Sequence, residues 1–248
     1  MPKDTILEIG QAGLEVSEER TKSHMNRLVN SETPGFRGSD PLIQSFPLEL
    51  ESAERKISGM APVVTGTFYN QTPGTLIKTG NPTDLALGGE GFFVVLGPWG
   101  EGFTRDGRFK LDKDGNLLSS AGSFPLLGKS GPISIPAGSE IEITQDGDVK
   151  TDGRVVDRIR VVKFDQRELS NLVSLNGSIF NISNPQTVYQ TIDSPRIVQG
   201  YIESSNVNVI SETRDLVIEG RYATGITELI KNRDAALSRL MTIGKPSQ

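Results

Sequence analysis

The stretch that decides the fold is the last one, "NVNVISETRDLVIEGRYATGITELIKNRDAALSRLMTIG", residues 206 to 244. It contains no proline, and Val209, Leu216, Ala223, Ile230 and Leu237 recur every seven residues. Gly220, Ile226, Leu240 and Met241 fill the alternate seam position, with Glu212, Thr213, Glu219, Thr227, Arg233 and Asp234 as polar company. That spacing predicts one long helix that packs against other helices in coiled-coil fashion. Asn206 and Asn208 suit its start, since an Asn side chain can accept from the free N–H groups of a first turn. A helix of about 37 residues is about 55 Å long. A β-domain of about 120 residues has a radius of gyration near 14 Å. The one cannot sheathe the other, so the helical ends need each other and neighbouring chains.

Working outward, the first thirty residues also predict a helix. Leu7, Leu14 and Leu28 share one heptad stripe, with Thr21 as its polar gap. "SETPGF" (residues 31 to 36) ends it: the residue before Pro34 is pushed out of the α region, and Gly35 permits a tight bend. Residues 36 to 79, with Pro41, Pro47, Pro62 and Pro73, read as extended connections. From about 80 to 200 short apolar runs such as "GFFVVL" (91 to 96) alternate with Gly-rich turns at meander spacing. Asp106-Gly107 reads as a type I′ turn. In "LDKDGNLLSS" (111 to 120) Asp112, Asp114 and Asn116 imitate the opening of a calcium loop. The loop needs Gly at its sixth position and Glu at its twelfth, and Leu117 and Ser123 stand there. A turn is the better reading.

The predicted fold class is therefore α+β: long N- and C-terminal helices forming a coiled-coil-like stem, with a central antiparallel β-rich domain. The divisions are residues 1–35, an extended linker over 36–79, a β-rich 80–200, and 201–248. Net charge is −5, which gives no broad basic surface for nucleic acid. Cysteine is absent, which removes disulfides and thiolate chemistry. No run approaches a membrane span of roughly 18 apolar residues, and the start has no apolar core of a cleavable signal. The single histidine, His24, reads as a helix-surface residue, and no nucleophile elbow or phosphate loop is present. No catalytic, cofactor or metal site is expected. The competing class is a secreted β-rich module that binds carbohydrate or calcium.

Several phrases then resemble one family together. "NRLVNSETPGFRG" (26 to 38) resembles the N-x-L-x-N-x-x-T-P-G-[FY] signature of bacterial flagellar rod and hook proteins. "NPTDLALGGEGFFVV" and "FTRDGRFKLDKDGNLLSSAGSFPLLG" resemble their central domain, and "GYIESSNVNVISE" (200 to 212) the phrase that opens their last helix. Within the family, the length, "TPGFR" and "GPISIPAGSEIEIT" look most like the proximal-rod subunit, with distal-rod and hook-type subunits as the alternative. The sequence departs at Arg27, inside the Asn26–Asn30 frame, and at "IEGRYATGI".

The resemblance implies a structural rod subunit in the basal body that assembles helically with other rod subunits to transmit torque. It implies passage through the flagellar type III export apparatus without signal cleavage. Subunit packing would fall to Leu7, Leu14, Asn26, Leu28, Asn30, Val209, Leu216, Ala223, Ile230 and Leu237. Thr33, Pro34, Gly35 and Phe36 would set the turn after the first helix.

Overall fold

The computed structural model describes residues 5–52, 55–136 and 138–243. Helix α1 (Thr5–Val29) is followed by strands β1 (Ser39–Ser52), β2 (Arg55–Tyr69), β3 (Leu76–Lys78), β4 (Leu85–Leu87), β5 (Phe92–Gly97) and β6 (Gly100–Thr104). Next come β7 (Phe109–Leu111), β8 (Leu117–Ser119), β9 (Ile141–Ile143), β10 (Asp148–Thr151), β11 (Arg154–Arg158) and β12 (Val161–Phe164). β13 (Leu172–Ser174), β14 (Ile179–Ile182), β15 (Tyr189–Thr191), β16 (Ile197–Gln199) and β17 (Tyr201–Glu203) lead to helix α2 (Val209–Ile243). The chain divides into two compact units: residues 1–28, 39–68 and 208–248, and residues 29–38 with 69–207.

The second unit is the β-rich one. Its largest sheet has six strands in the order β13-β14-β6-β5-β12-β15, and its pairings are antiparallel. The apolar run "FFVV" supplies both faces at once. Phe93 and Val95 enter one core with Leu85, Phe109, Leu117, Leu126 and Ile179, while Phe92 and Val94 enter another with Phe103, Phe164 and Phe180. Successive strand residues point to opposite faces, so a continuous apolar run means burial on both. The aromatic rings meet edge to face, as in Phe93–Phe109 at 5.5 Å and Phe103–Phe164 at 4.9 Å. A three-stranded sheet, β11-β10-β9, and the pairs β16-β4, β17-β3 and β7-β8 complete the unit.

"LDKDGNLLSS" is a turn. Asp112 Oδ1 accepts from the N–H groups of Asp114 (2.9 Å) and Asn116 (2.7 Å), and Gly115 takes φ +82°. These hydrogen bonds, led by that from the Asn116 side chain, hold the Asp112 carboxyl below its ordinary value. Among the described residues no cluster of His, Cys, Asp and Glu could hold a metal ion. Asp106-Gly107 is not the expected I′ turn: Gly107 does not take a positive φ, and its carbonyl accepts from Leu85 N at 2.9 Å.

The first unit corrects the expected stem. The described residues contain two α-helices, of 25 and 35 residues, beside a β-rich body, and these do not form a coiled-coil stem. α1 and α2 run antiparallel, but not through a heptad seam of apolar knobs. A Cβ at Gly10 would lie 3.1 Å from Ile230 Cδ1, and one at Gly13 would lie 3.2 Å from Ile226 Cδ1. Beyond these two glycines the meeting face turns polar. Ser17 Oγ donates to Glu219 Oε2 at 3.2 Å, and Arg20 Nη1 donates to Glu219 Oε1 at 3.1 Å. His24 Nδ1 lies 2.7 Å and Arg27 Nε 2.9 Å from Glu212 Oε2.

Thus Glu212 and Glu219, read from the sequence as company to the seam, lie inside it, while Val209 and Leu237 are exposed. The heptad spacing is a property of α2 alone. It could not show that small and charged partners on α1 would select the face between hydrophobic columns. Within residues 36–79, expected as extended connections, β1 and β2 pair with each other and β3 pairs with β17. Ser39 meets α1 through hydrogen bonds from Ser23 and Arg27, and Asp40 pairs with Arg27.

Candidate functional site

Three stretches far apart in sequence meet in the β-rich unit: the turn after α1, the loop after β6, and the strand that leads toward α2. The turn is built locally. Thr33 N donates to Asn30 O (3.1 Å), Phe36 N to Thr33 O (3.2 Å), and Thr33 Oγ1 to Asn30 Oδ1 (3.2 Å). Gly35 takes φ +67°, and a Cβ there would stand 2.2 Å from the backbone carbon of Arg105. Only glycine fits, both for the left-handed backbone and for the space. Gly35 N then donates to Glu203 O at 2.8 Å, which ties the turn to β17.

Beneath this backbone bridge lies a buried charge cluster. Arg37, Arg105 and Glu203 are 1%, 5% and 1% exposed. Arg37 Nη2 lies 2.8 Å from Glu203 Oε1, and Arg105 Nη1 3.1 Å from Glu203 Oε2. Glu203 Oε1 also accepts from Gly74 N at 2.8 Å. Arg37 donates to Thr72 O, Arg105 donates to Gly89 O at 2.8 Å, and the Arg105 guanidinium lies over the Phe92 ring. Burial is the largest influence on both cations. It lowers Arg105 to about 10 and lowers Arg37 as well, against the opposing pull of Glu203. One carboxylate therefore serves two interior guanidiniums.

Asn206 closes the junction. Its N donates to Phe36 O (3.4 Å), its Oδ1 accepts from Gly38 N (2.9 Å), and its Nδ2 donates to Asn70 O (2.9 Å) and Thr72 O (3.0 Å). Asn208, not Asn206, caps α2: its Oδ1 accepts from Ile210 N (3.0 Å) and Ser211 N (3.3 Å). The two asparagines expected at the helix start thus divide the work.

The junction gathers Thr33, Pro34, Gly35, Phe36 and Asn206. It does not gather the residues expected to pack subunits. Leu7, Leu14, Leu28, Leu216, Ala223 and Ile230 are partly buried along the helices, and Asn26, Val209 and Leu237 are exposed. Asn30 belongs to the turn. Arg37, Arg105 and Glu203 were missed, although each stands in one of the quoted family phrases. The available signal was partial: Arg37 stands between Phe36 and Gly38 and Glu203 follows Tyr201-Ile202, whereas Arg105, between Thr104 and Asp106, carries none.

The arrangement is cohesive: ion pairs and hydrogen bonds tie the turn, the loop after β6 and β17 together. No described helix is long and apolar enough to cross a membrane. Residues 86–151 match the model of the flagellar hook protein FlgE/F/G D1 domain. The chain is 32% identical over 219 residues to the flagellar basal-body rod protein FlgF of Caulobacter vibrioides, covering 86% of each chain. It is 30% identical to FlgF of Escherichia coli, covering 79% of this chain and 80% of the relative. It is also 30% identical to FlgG of Buchnera aphidicola subsp. Acyrthosiphon pisum, covering 94% and 96%. Similarity of that extent means that the chain belongs to the family of flagellar basal-body rod proteins.

Proposed function

We propose that this chain, a structural subunit of the basal-body rod of proximal type, works by giving both its ends to an open helical assembly that carries torque. Residues 1–35 and 201–248 serve the axial packing, residues 80–200 form the body, and 36–79 connect them. The observation that carries this reading is the apolar surface left on α2. Ile210 is 83% exposed, and Val217 and Ile218, two turns further along the same side of the helix, are 52% and 54% exposed. An isolated soluble chain gains nothing from such a surface, and contiguous exposed apolar patches mark interaction sites.

The partners are other rod subunits, met through a heterologous contact that does not close on itself and so builds a helix. Leu7, Leu14, Leu28, Leu216, Ala223 and Ile230 fill the space between and beside the helices. Asn26, Val209 and Leu237 face neighbours, and Asn30 fixes the turn. The chain reaches its place through the flagellar export apparatus. The work needs rigid, densely packed contacts of low compressibility and no catalysis.

The test is genetic and biochemical. An epitope-tagged chain should co-purify with detergent-extracted basal bodies. Ala223→Asp should abolish motility by placing an unpaired charge against α1, while the β-rich unit melts as before. Absence of the tagged chain from basal bodies would refute the assignment, and normal swimming of the variant would refute the packing role.

A further inference from the structure

Arg37 and Arg105 enter the interior from segments made long before their only shared counter-ion; Glu203 lies 98 residues after Arg105. Their other hydrogen-bonding and ring partners are neutral, namely the carbonyl oxygens of Thr72 and Gly89 and the face of Phe92, and Glu90 adds only the weakest of the influences on Arg105. A chain that ends before β17 would have to bury two guanidiniums without the one carboxylate that touches both. The same residue also completes the backbone. β17 pairs with β3, and the Glu203 carbonyl accepts from Gly35 N.

We propose that Glu203 is a completion residue: the β-rich unit stays open until the chain is present through residue 203, because only then do its two interior cations meet the carboxylate they share. An incomplete chain is thereby kept from folding, whichever of its earlier strands are already made. Burying an unpaired charge opposes folding far more strongly than losing one strand pair of three residues. The use of such a device rests on the rod reading, in which the subunit is delivered as an open chain, but its physics does not.

The experiment uses the chain during its own synthesis. Translation arrested after Glu228 keeps Glu203 within the ribosome while most of the β-rich unit is outside; completed and released chain is the reference. Limited proteolysis should cut the arrested chain at least tenfold faster within residues 69–199 than the released one. The Arg37→Met/Arg105→Met chain arrested at the same point should regain most of that protection, since it no longer awaits a carboxylate. The full-length Arg37→Met/Arg105→Met/Glu203→Leu chain shows that the replacements themselves fold. Protection of the arrested wild-type chain would overturn the proposal. So would an arrested double variant that stays open while the full-length triple variant is folded, because strand closure alone would then be the gate. Co-purification of full-length chain with basal bodies is scored separately, so either result leaves the rod assignment to stand or fall by itself.

Discussion

Replacing Gly35 by alanine tests the junction most directly, because two costs can be worked out and separated. The backbone cost comes from φ +67°: an L-residue in the left-handed region loses about 1–2 kcal/mol. The steric cost comes from the new Cβ, which would stand 2.2 Å from Arg105 C and 2.3 Å from Asp106 N. Both atoms are backbone and cannot swing away, so the turn or the loop must shift, at about 1–3 kcal/mol. The total is about 2–5 kcal/mol, or about 4–20 °C in melting temperature at 2–4 °C per kcal/mol for a unit of this size.

Gly80 is the control. Its φ is +74° and nothing lies within 4 Å of a Cβ there, so Gly80→Ala incurs only the backbone cost, about 1–2 kcal/mol. Trp99, the sole tryptophan, lies in the β-rich unit, and its fluorescence during thermal unfolding reports that unit. If Gly35→Ala melts no lower than Gly80→Ala, the close approach of turn and loop is not a real constraint and the junction account is wrong.

Other outcomes follow from neighbouring geometry. Glu203→Gln keeps the shape but strands two interior cations, and should cost about 3–5 kcal/mol in urea unfolding. The apolar triple replacement at Arg37, Glu203 and Arg105 should be neutral or stabilising by comparison. Gly10→Leu should drive α1 off Ile230, at about 1–3 kcal/mol of overpacking, read as faster proteolysis of both helices with unchanged Trp99 fluorescence. Asp112 has a folded value below 3.8, so its contribution is present above the unfolded value and is lost as pH falls through the folded one. The melting difference between wild type and Asp112→Ala should therefore be visible at neutral pH and vanish in strong acid.

The sequence made some of this legible and hid the rest for definite reasons. Both helices declared themselves through period and length, and the stop after α1 through Pro34 and Gly35. The strand at "FFVV" was readable because a short, continuous apolar run with β-branched and aromatic residues has few other uses. The face by which α1 meets α2 was not readable from α2 alone. Hydrophobic columns were counted there, whereas Gly10, Gly13, Ser17, His24 and Arg27 on the other helix decide which column turns inward. The pairing of β1 with β2 was obscured by Pro41, Pro47 and Pro62, which interrupt a strand pattern but are tolerated in a two-stranded ribbon with open edges. The buried cluster was hidden for a different reason. Interior charge is a property of three segments together, and no one of them shows it.

The polar face between α1 and α2 has a mechanical corollary. Glu212 and Glu219 stand two turns apart, and each is answered by its own pair on α1: His24 with Arg27, Ser17 with Arg20. Hydrocarbon columns can slide past one another by a residue at little loss, whereas these carboxylates meet cations at fixed heights only. The two helices therefore work as a vernier, whose marks coincide in one alignment, and a pull along their length is resisted by mismatch rather than by stickiness.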